Sequence, residues 1–260
     1  NYLVDQFEIL SERQRRGPRI YVEHDPPREH PTDTRHLVDD PDALLVHVTH
    51  FNSLMWDSGR TPTRVIEHGV LVPSEVRYTG ELARGVVIIN NLRTRGRRLG
   101  ADVFERVRRE VPLDLIGMDA ESLGGLGEVS PPELAAVMAR YRFVFNPIRY
   151  TSLGLAVCEA MTIGMPIVGL ATSEMVTVVE NDVSGYLDTN VERLVARMRA
   201  LLDDPAEARR LGANARRRAR ERFGIRRFVR DWEDAFAHVT GTPRASTGAA
   251  RQSLAAGAVV

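Results

Sequence analysis

The sequence predicts an α/β protein made of two parallel-sheet, Rossmann-like halves, the first present only in part. Three observations carry this. Short β-branched runs alternate with helix-length amphipathic segments along most of the 260 residues, the pattern of parallel sheets covered by helices. The alternation becomes regular from about residue 85. The stretch before residue 67 holds too few strands to close a sheet of its own, so it reads as the second part of one α/β unit joined to a complete one.

Each element has its own signal. Leu3, Val4, Phe7 and Leu10 stand at helical spacing among charges, which predicts an amphipathic helix over 3–15. Arg19–Glu23 is a short strand stopped at His24-Asp25-Pro26-Pro27, and the polar, Pro-rich 25–41 is a loop. Leu44–Val48 is a second strand, 50–57 a helix, and Arg64–Glu67 a third strand that ends at His68-Gly69. The regular series then runs Val86–Ile89 strand, Leu99–Arg109 helix, Leu113–Ile116 strand, Pro131–Arg140 helix and Phe143–Phe145 strand. It continues with Leu155–Thr162 helix, Ile167–Gly169 strand, Glu174–Glu180 helix and Tyr186–Leu187 strand. Three helices follow, at about 191–203, 205–222 and 225–237. The expected division is therefore a partial first half at 1–67, a complete second half at 68–224, a helix at 225–238, and a disordered tail at 239–260 rich in Ala, Gly, Ser and Thr.

Composition narrows the function classes. With 35 basic and 35 acidic residues the formal charge is zero, which gives no cationic footprint for nucleic acid. The run Arg216-Arg217-Arg218-Ala219-Arg220 shares its helix with Glu207 and Glu221, the arrangement of a solvated face. There is no lysine, so any phosphate-binding cation must be a guanidinium, a group suited to bidentate phosphate contacts. The single cysteine, Cys158, excludes an intramolecular disulfide framework and fits a cytoplasmic location. No apolar run approaches the roughly 18–20 residues that span a bilayer. A first residue other than Met, followed at once by charged helix-like sequence, is read as a start inside a longer chain.

The chemistry concentrates in 146–168. A strand ends at Asn146-Pro147, a loop runs to Gly154, and a helix starts there. Unpaired N–H groups at a helix start suit a phosphate or a sugar oxygen, and such loops at strand C-termini are where open sheets bind ligands. Gly154-Leu155, Glu159-Ala160-Met161, Gly164 and Pro166-Ile167-Val168 stand in the order and spacing of a motif found in the family 4 glycosyltransferases. Downstream, Glu180-Asn181 and Ser184–Leu187 resemble the same family's acidic turn and Thr-Gly-Leu strand. More loosely, Ile66–Val70 resembles the linker between its two halves, and Gly127-Glu128-Val129 with Glu133-Leu134 resembles its base-binding segment. The resemblance covers about residues 18–237.

That resemblance implies a GT-B fold and retaining transfer of a sugar from a nucleotide-diphosphate donor to a hydroxyl acceptor, without a metal or other cofactor. Glu159 corresponds to a glutamate that binds the ribose hydroxyls, and the backbone of Ser152, Leu153, Gly154 and Leu155 would cradle sugar or phosphate. Val129 falls in the base-binding segment. The family's first glutamate of the pair is replaced here by Thr151, which can hydrogen-bond a sugar hydroxyl but supplies no charge. The family's diphosphate clamp follows the first strand of this half. There Asn91 stands where an arginine is expected, and Arg95 is the first choice for the cation, with Arg93 and Arg98 as alternatives. His24 resembles a strand-end histidine facing the donor sugar, with Asp25 placed to orient its ring. Trp56 and Trp232 read as core or contact residues rather than sugar platforms. The partners implied are a nucleotide sugar and a bacterial polysaccharide-type glycan or lipid-linked acceptor, with room for peripheral membrane contact.

Two other readings were weighed. A dinucleotide-binding dehydrogenase fails because Leu123–Glu128 lacks the third glycine of its fingerprint, Ser130 standing in its place. A non-catalytic sugar-nucleotide-binding subunit remains open, on the strength of Thr151 and the incomplete first half.

Overall fold

In a computed structural model, residues 12–242 are described. After a short helix α1 (Glu12–Arg15), the first half is a parallel sheet of β1 (Arg19–Glu23), β2 (Ala43–His47) and β3 (Thr63–Val65), in that spatial order, with α2 (His50–Met55) between β2 and β3. The rest of the expected 3–15 helix and nearly all of the expected tail lie outside the described residues.

The second half is a five-stranded parallel sheet in the order β5-β4-β6-β7-β8. Its elements are β4 (Leu82–Ile88), α3 (Leu92–Leu99), α4 (Ala101–Val107), β5 (Leu113–Ile116), α5 (Pro131–Met138), β6 (Tyr141–Asn146), α6 (Leu155–Ile163), β7 (Ile167–Leu170), α7 (Met175–Val178), β8 (Gly185–Asp188), α8 (Val191–Asp203) and α9 (Pro205–Arg222). Two hydrophobic clusters cover its two faces: one includes Val87, Phe104, Phe143, Phe145 and Leu211, the other Val86, Val144, Cys158, Met161 and Phe223. Neighbouring residues of β4 and β6 thus face opposite clusters, as the period of two requires.

Several element bounds differ from the sequence expectations, β4 beginning four residues early at Leu82 among them. The expected helix 99–109 spans only Ala101–Val107, because the preceding α3 ends at Leu99 and Gly100 adopts φ +83°. A Cβ there would sit 2.0 Å from the Pro147 carbonyl oxygen, so only glycine fits. The basic segment after β4 is helical, α3. β6 begins at Tyr141 rather than Phe143, since the buried Arg142 is satisfied by the carbonyls of Gly80, Leu201 and Leu202. The third strand is shorter than expected and ends at Val65.

The last helix, α10 (Ile225–Thr240), runs past the expected end at 238. It returns to the first half, where Ala235, Phe228 and Trp232 pack with Leu44, Val46 and Ile66. Trp56 is a scaffold residue too: its Nε1 donates to the Asp25 carbonyl at 2.8 Å and its ring meets His36 edge-on. At the start of the second half Val70 forms a short bridge with Gly224, its N–H donating to the Phe223 carbonyl at 3.0 Å.

Candidate functional site

Open parallel sheets take ligands in the crevice where strand order reverses. In the second half the reversal falls between β4 and β6, since β5 flanks β4 on one side and β6 flanks it on the other. The connections leaving these two strands are 89–91 and 147–154.

The 147–154 loop is held at every step. Asn146, buried at the end of β6, accepts the Ile148 N–H through Oδ1 at 3.1 Å. Arg149 forks onto Asp102 of α4 at 2.6 and 2.8 Å. The N–H groups of Arg149 and Tyr150 both donate to the Arg98 carbonyl, at 3.0 and 3.2 Å, which ties this loop to the end of α3. Two contacts then cross to the first half: the Tyr150 hydroxyl donates to the Pro27 carbonyl at 2.8 Å, and Ser152 Oγ donates to the His24 carbonyl at 2.7 Å. Thr151 sits between them, half-buried, its hydroxyl without a hydrogen-bond partner among the described residues.

Leu153 is buried in the second-half core and anchors the loop from below. Gly154 precedes α6 with no side-chain cap, and the space where its Cβ would stand is empty to 4 Å. The first N–H groups of α6 are left without a side-chain cap beside that space, a helix start able to receive an anion. Leu155 at that start is 50% exposed, an apolar surface beside the open end.

Glu159 lies one turn into α6. It is half-buried and makes no hydrogen bond or ion pair with any described residue, and burial pushes its carboxyl above the usual range. An unpartnered, desolvated carboxylate is costly to keep, and vicinal hydroxyls of a ligand would satisfy it. Val129, partly buried against the same core, follows a turn fixed by the Gly117 N–H on the Gly127 carbonyl at 2.9 Å.

The cations separate. Arg93 and Arg95 are exposed and carry no acidic partner among the described residues. Gly96 breaks α3 at φ +58°, ψ −143°, so Arg98 departs from the path of the first turn. Arg98 is more enclosed: its Nη1 is buried without a partner. Burial first, then the charges of Arg28 and Arg95, hold its guanidinium below the usual arginine range, against the pull of Asp25. Arg98 thus lies among groups from both halves. Asn91 adopts φ +54° and caps α3, while Asn90 Oδ1 accepts the Met118 N–H at 2.9 Å.

His24 stands exposed at the end of β1 and stacks on His68 with centroids 6.1 Å apart. Burial, then the charges of His24 and Arg227, lower the His68 pKa, with Glu67 opposing. Asp25 does not orient the His24 ring as expected; its carboxylate takes Arg28 Nη2 at 2.5 Å. The structure therefore brings His24, Ser152, Thr151 and Arg98 to one junction, with the α6 start beside it.

A second inter-half contact was not legible in the sequence. Arg222 Nε donates to Glu67 at 2.7 Å and its Nη2 to Glu174 at 2.6 Å, while the other Glu174 oxygen accepts the Phe51 N–H at 2.8 Å. Among the described residues no group of three or more His, Cys, Asp or Glu side chains could hold a metal ion. No described helix is long and apolar enough to cross a membrane.

Comparison with known proteins bears on this geometry. Residues 121–218 match the family described as glycosyl transferases group 1, a span containing Val129 and the whole 147–159 segment. The chain is similar to the MMP alpha-(1->4)-mannosyltransferase of Mycolicibacterium hassiacum, 35% identical over an alignment of 136 positions that takes in 45% of this chain and 33% of the relative. Among solved structures it resembles sucrose-phosphate synthase from Thermosynechococcus elongatus, at TM-score 0.63 and 18% identity over 77% of this chain and 59% of that one. It also resembles a mutant of S. aureus TarM in complex with Fondaparinux, alpha-GlcNAc-glycerol and UDP, at TM-score 0.66 and 15% identity over 86% of this chain and 51% of that one. Anabaena Alr3699/HepE in complex with UDP matches at TM-score 0.57 and 17% identity, over 75% and 64%. The chain spans a third of the length of the curated relative and half to two thirds of these structures. The fold is the α/β, parallel-sheet GT-B fold that the sequence predicts.

Proposed function

We propose that this chain carries the donor site of a hexosyltransferase that moves a sugar from a nucleotide-diphosphate donor to a hydroxyl acceptor with retention, as in family 4. The observation that carries the reading is Glu159, half-buried and unpartnered one turn inside a helix whose uncapped start opens beside the other half. A carboxylate in that state is built to accept from paired hydroxyls such as those of ribose. The α6 start supplies N–H donors for phosphate or sugar oxygens.

Charge builds on the departing diphosphate as the glycosidic bond breaks, and a fixed cation there is the main electrostatic contribution. Arg98 is assigned this role in preference to Arg95, because its unpartnered Nη1 lies among groups of both halves. His24 and Thr151 face the sugar, Val129 the base. The reaction is taken to need no metal. The group 1 family match and the mannosyltransferase relative support the catalytic reading over a non-catalytic subunit. A glycan or lipid-linked acceptor and a cytoplasmic site of action belong to the same proposal.

Calorimetric titration of uridine, guanosine and adenosine diphosphate sugars tests the reading. One nucleotide should bind the wild-type chain and be lost in Glu159→Ala, with Arg98→Ala weakening it by tenfold or more. Absence of binding by every donor to the folded chain, or equal binding by Glu159→Ala, would overturn it.

A further inference from the structure

A recessed groove of about 610 Å³ opens on the second half away from the crevice. Gly164, at the far end of α6, lines it. The nine residues of α6 therefore separate it from the helix start at Gly154 by about 13 Å. The groove is of a size that takes a small molecule.

Its walls are unusual in charge. Arg77, Arg209, Arg216, Arg217 and Arg220 line it, opposed by Glu221. Four of them are on α9, where Arg209, Arg216 and Arg220 succeed one another at seven and four residues and Arg217 stands three before Arg220. Elsewhere the arginines of this neutral chain are largely matched to carboxylates, as in Arg84 with Asp114, Arg199 with Glu110 and Arg210 with Glu207. None of the five groove arginines forms an ion pair among the described residues; Arg217 reaches only Asn214, and Arg77 only backbone carbonyls. Arg216 Nε is buried without any hydrogen-bond partner. Burial, then the charges of Arg220 and Arg77, hold the Arg216 guanidinium below the usual arginine range.

Uncompensated like charges around a concavity raise the free energy of the empty groove, and an anion lowers it. Guanidinium groups match phosphate oxygens in bidentate geometry, and five of them around one recess exceed what a single carboxylate would need. We propose that this groove is a binding site for a phosphate-bearing ligand, distinct from the crevice. Tyr78, Ile163, Gly164 and Ala213 also line it, a less polar part of the wall for the remainder of such a ligand. Because α6 joins the groove to the donor-side helix start, occupancy here would bear on the same helix that holds Glu159.

Pyrophosphate titrated calorimetrically into the full chain is the first arm, and sedimentation with phosphatidylglycerol vesicles the second. Arg98→Ala controls for binding in the crevice. The proposal predicts binding that persists in Arg98→Ala, falls at least tenfold in Arg216→Gln/Arg220→Gln, and weakens as salt is raised. Arg209→Gln/Arg220→Gln, which changes only exposed side chains, gives the same readout should the first pair disturb folding. Pyrophosphate binding identifies a soluble phosphate compound. Vesicle binding alone, lost in the same variants, identifies the phosphate as a lipid headgroup. If neither probe binds, or binding is abolished by Arg98→Ala and unchanged in the groove variants, these arginines are a solvated face and the proposal falls.

Discussion

Arg222→Met removes a charge that holds two carboxylates from different parts of the chain. Arg222 and Glu67 are 16% and 17% exposed, Glu174 only 1%. Methionine keeps much of the aliphatic stem, so the change isolates the charge. Glu174 would be left enclosed without its cation, with only the Phe51 N–H and Thr177 hydroxyl as donors. Breaking a buried pair by deleting one partner costs about 3–5 kcal/mol, and the partial exposure of Arg222 argues for about 3. For a chain of this size that lowers the melting temperature by about 6–12 °C. Thermal unfolding followed by circular dichroism reads it. Adding Glu174→Gln should recover part of the loss, because the orphan charge disappears while an acceptor for the Phe51 N–H remains. A loss under about 1 kcal/mol for Arg222→Met, or a further loss in the double variant, would refute the reasoning.

Glu159→Gln should stabilise the chain at neutral pH while abolishing donor binding. Burial raises the folded pKa of Glu159 above 4.5, so the unfolded state releases its proton first and stability falls as pH rises through that window; melting curves at pH 4 and 7 should differ between variant and wild type only at the higher value. His47 is fully buried, and burial, then the charge of His36, lowers its pKa to about 4, with Glu23 opposing. It therefore contributes stability that is complete above pH 6.5 and lost as pH falls toward 4, on the order of 3 kcal/mol; denaturant titrations of His47→Gln should show a flatter dependence across that interval. Gly100→Ala combines a left-handed backbone with a collision on the Pro147 carbonyl, and should cost more than about 2 kcal/mol, measurable as a lower urea midpoint.

What the sequence made legible follows from separation along the chain. Gly154, Leu155 and Glu159 lie within two turns of one helix, so their spacing alone places them together. The alternation of strands and helices is equally local, and every expected strand and helix within the described residues has a counterpart in the fold. The choice among Arg93, Arg95 and Arg98 is not local. It depends on the break at Gly96 and on which side chain meets Asp25 and Arg28 from the other half, and no periodicity encodes that. β6 hid two of its residues because Arg142 looks like a surface charge, when in fact three carbonyls from outside the strand satisfy it. The Glu67–Arg222–Glu174 contact joins residues far apart in sequence whose individual types are ordinary, so only the assembled halves reveal it.

The return of α10 to the first sheet has a consequence for how the polypeptide acquires its shape during synthesis. Leu44, Val46 and Ile66 leave the ribosome before the second half, yet Ala235, which packs with them, emerges about 190 residues after Val46. At about 5–20 residues per second that interval is on the order of 10–40 s. During it the whole second half can form, while β1–β3 keep an apolar face uncovered. This sheet is thus made before the second half and sealed after it, and the interval before α10 arrives is when its apolar face most needs protection from aggregation.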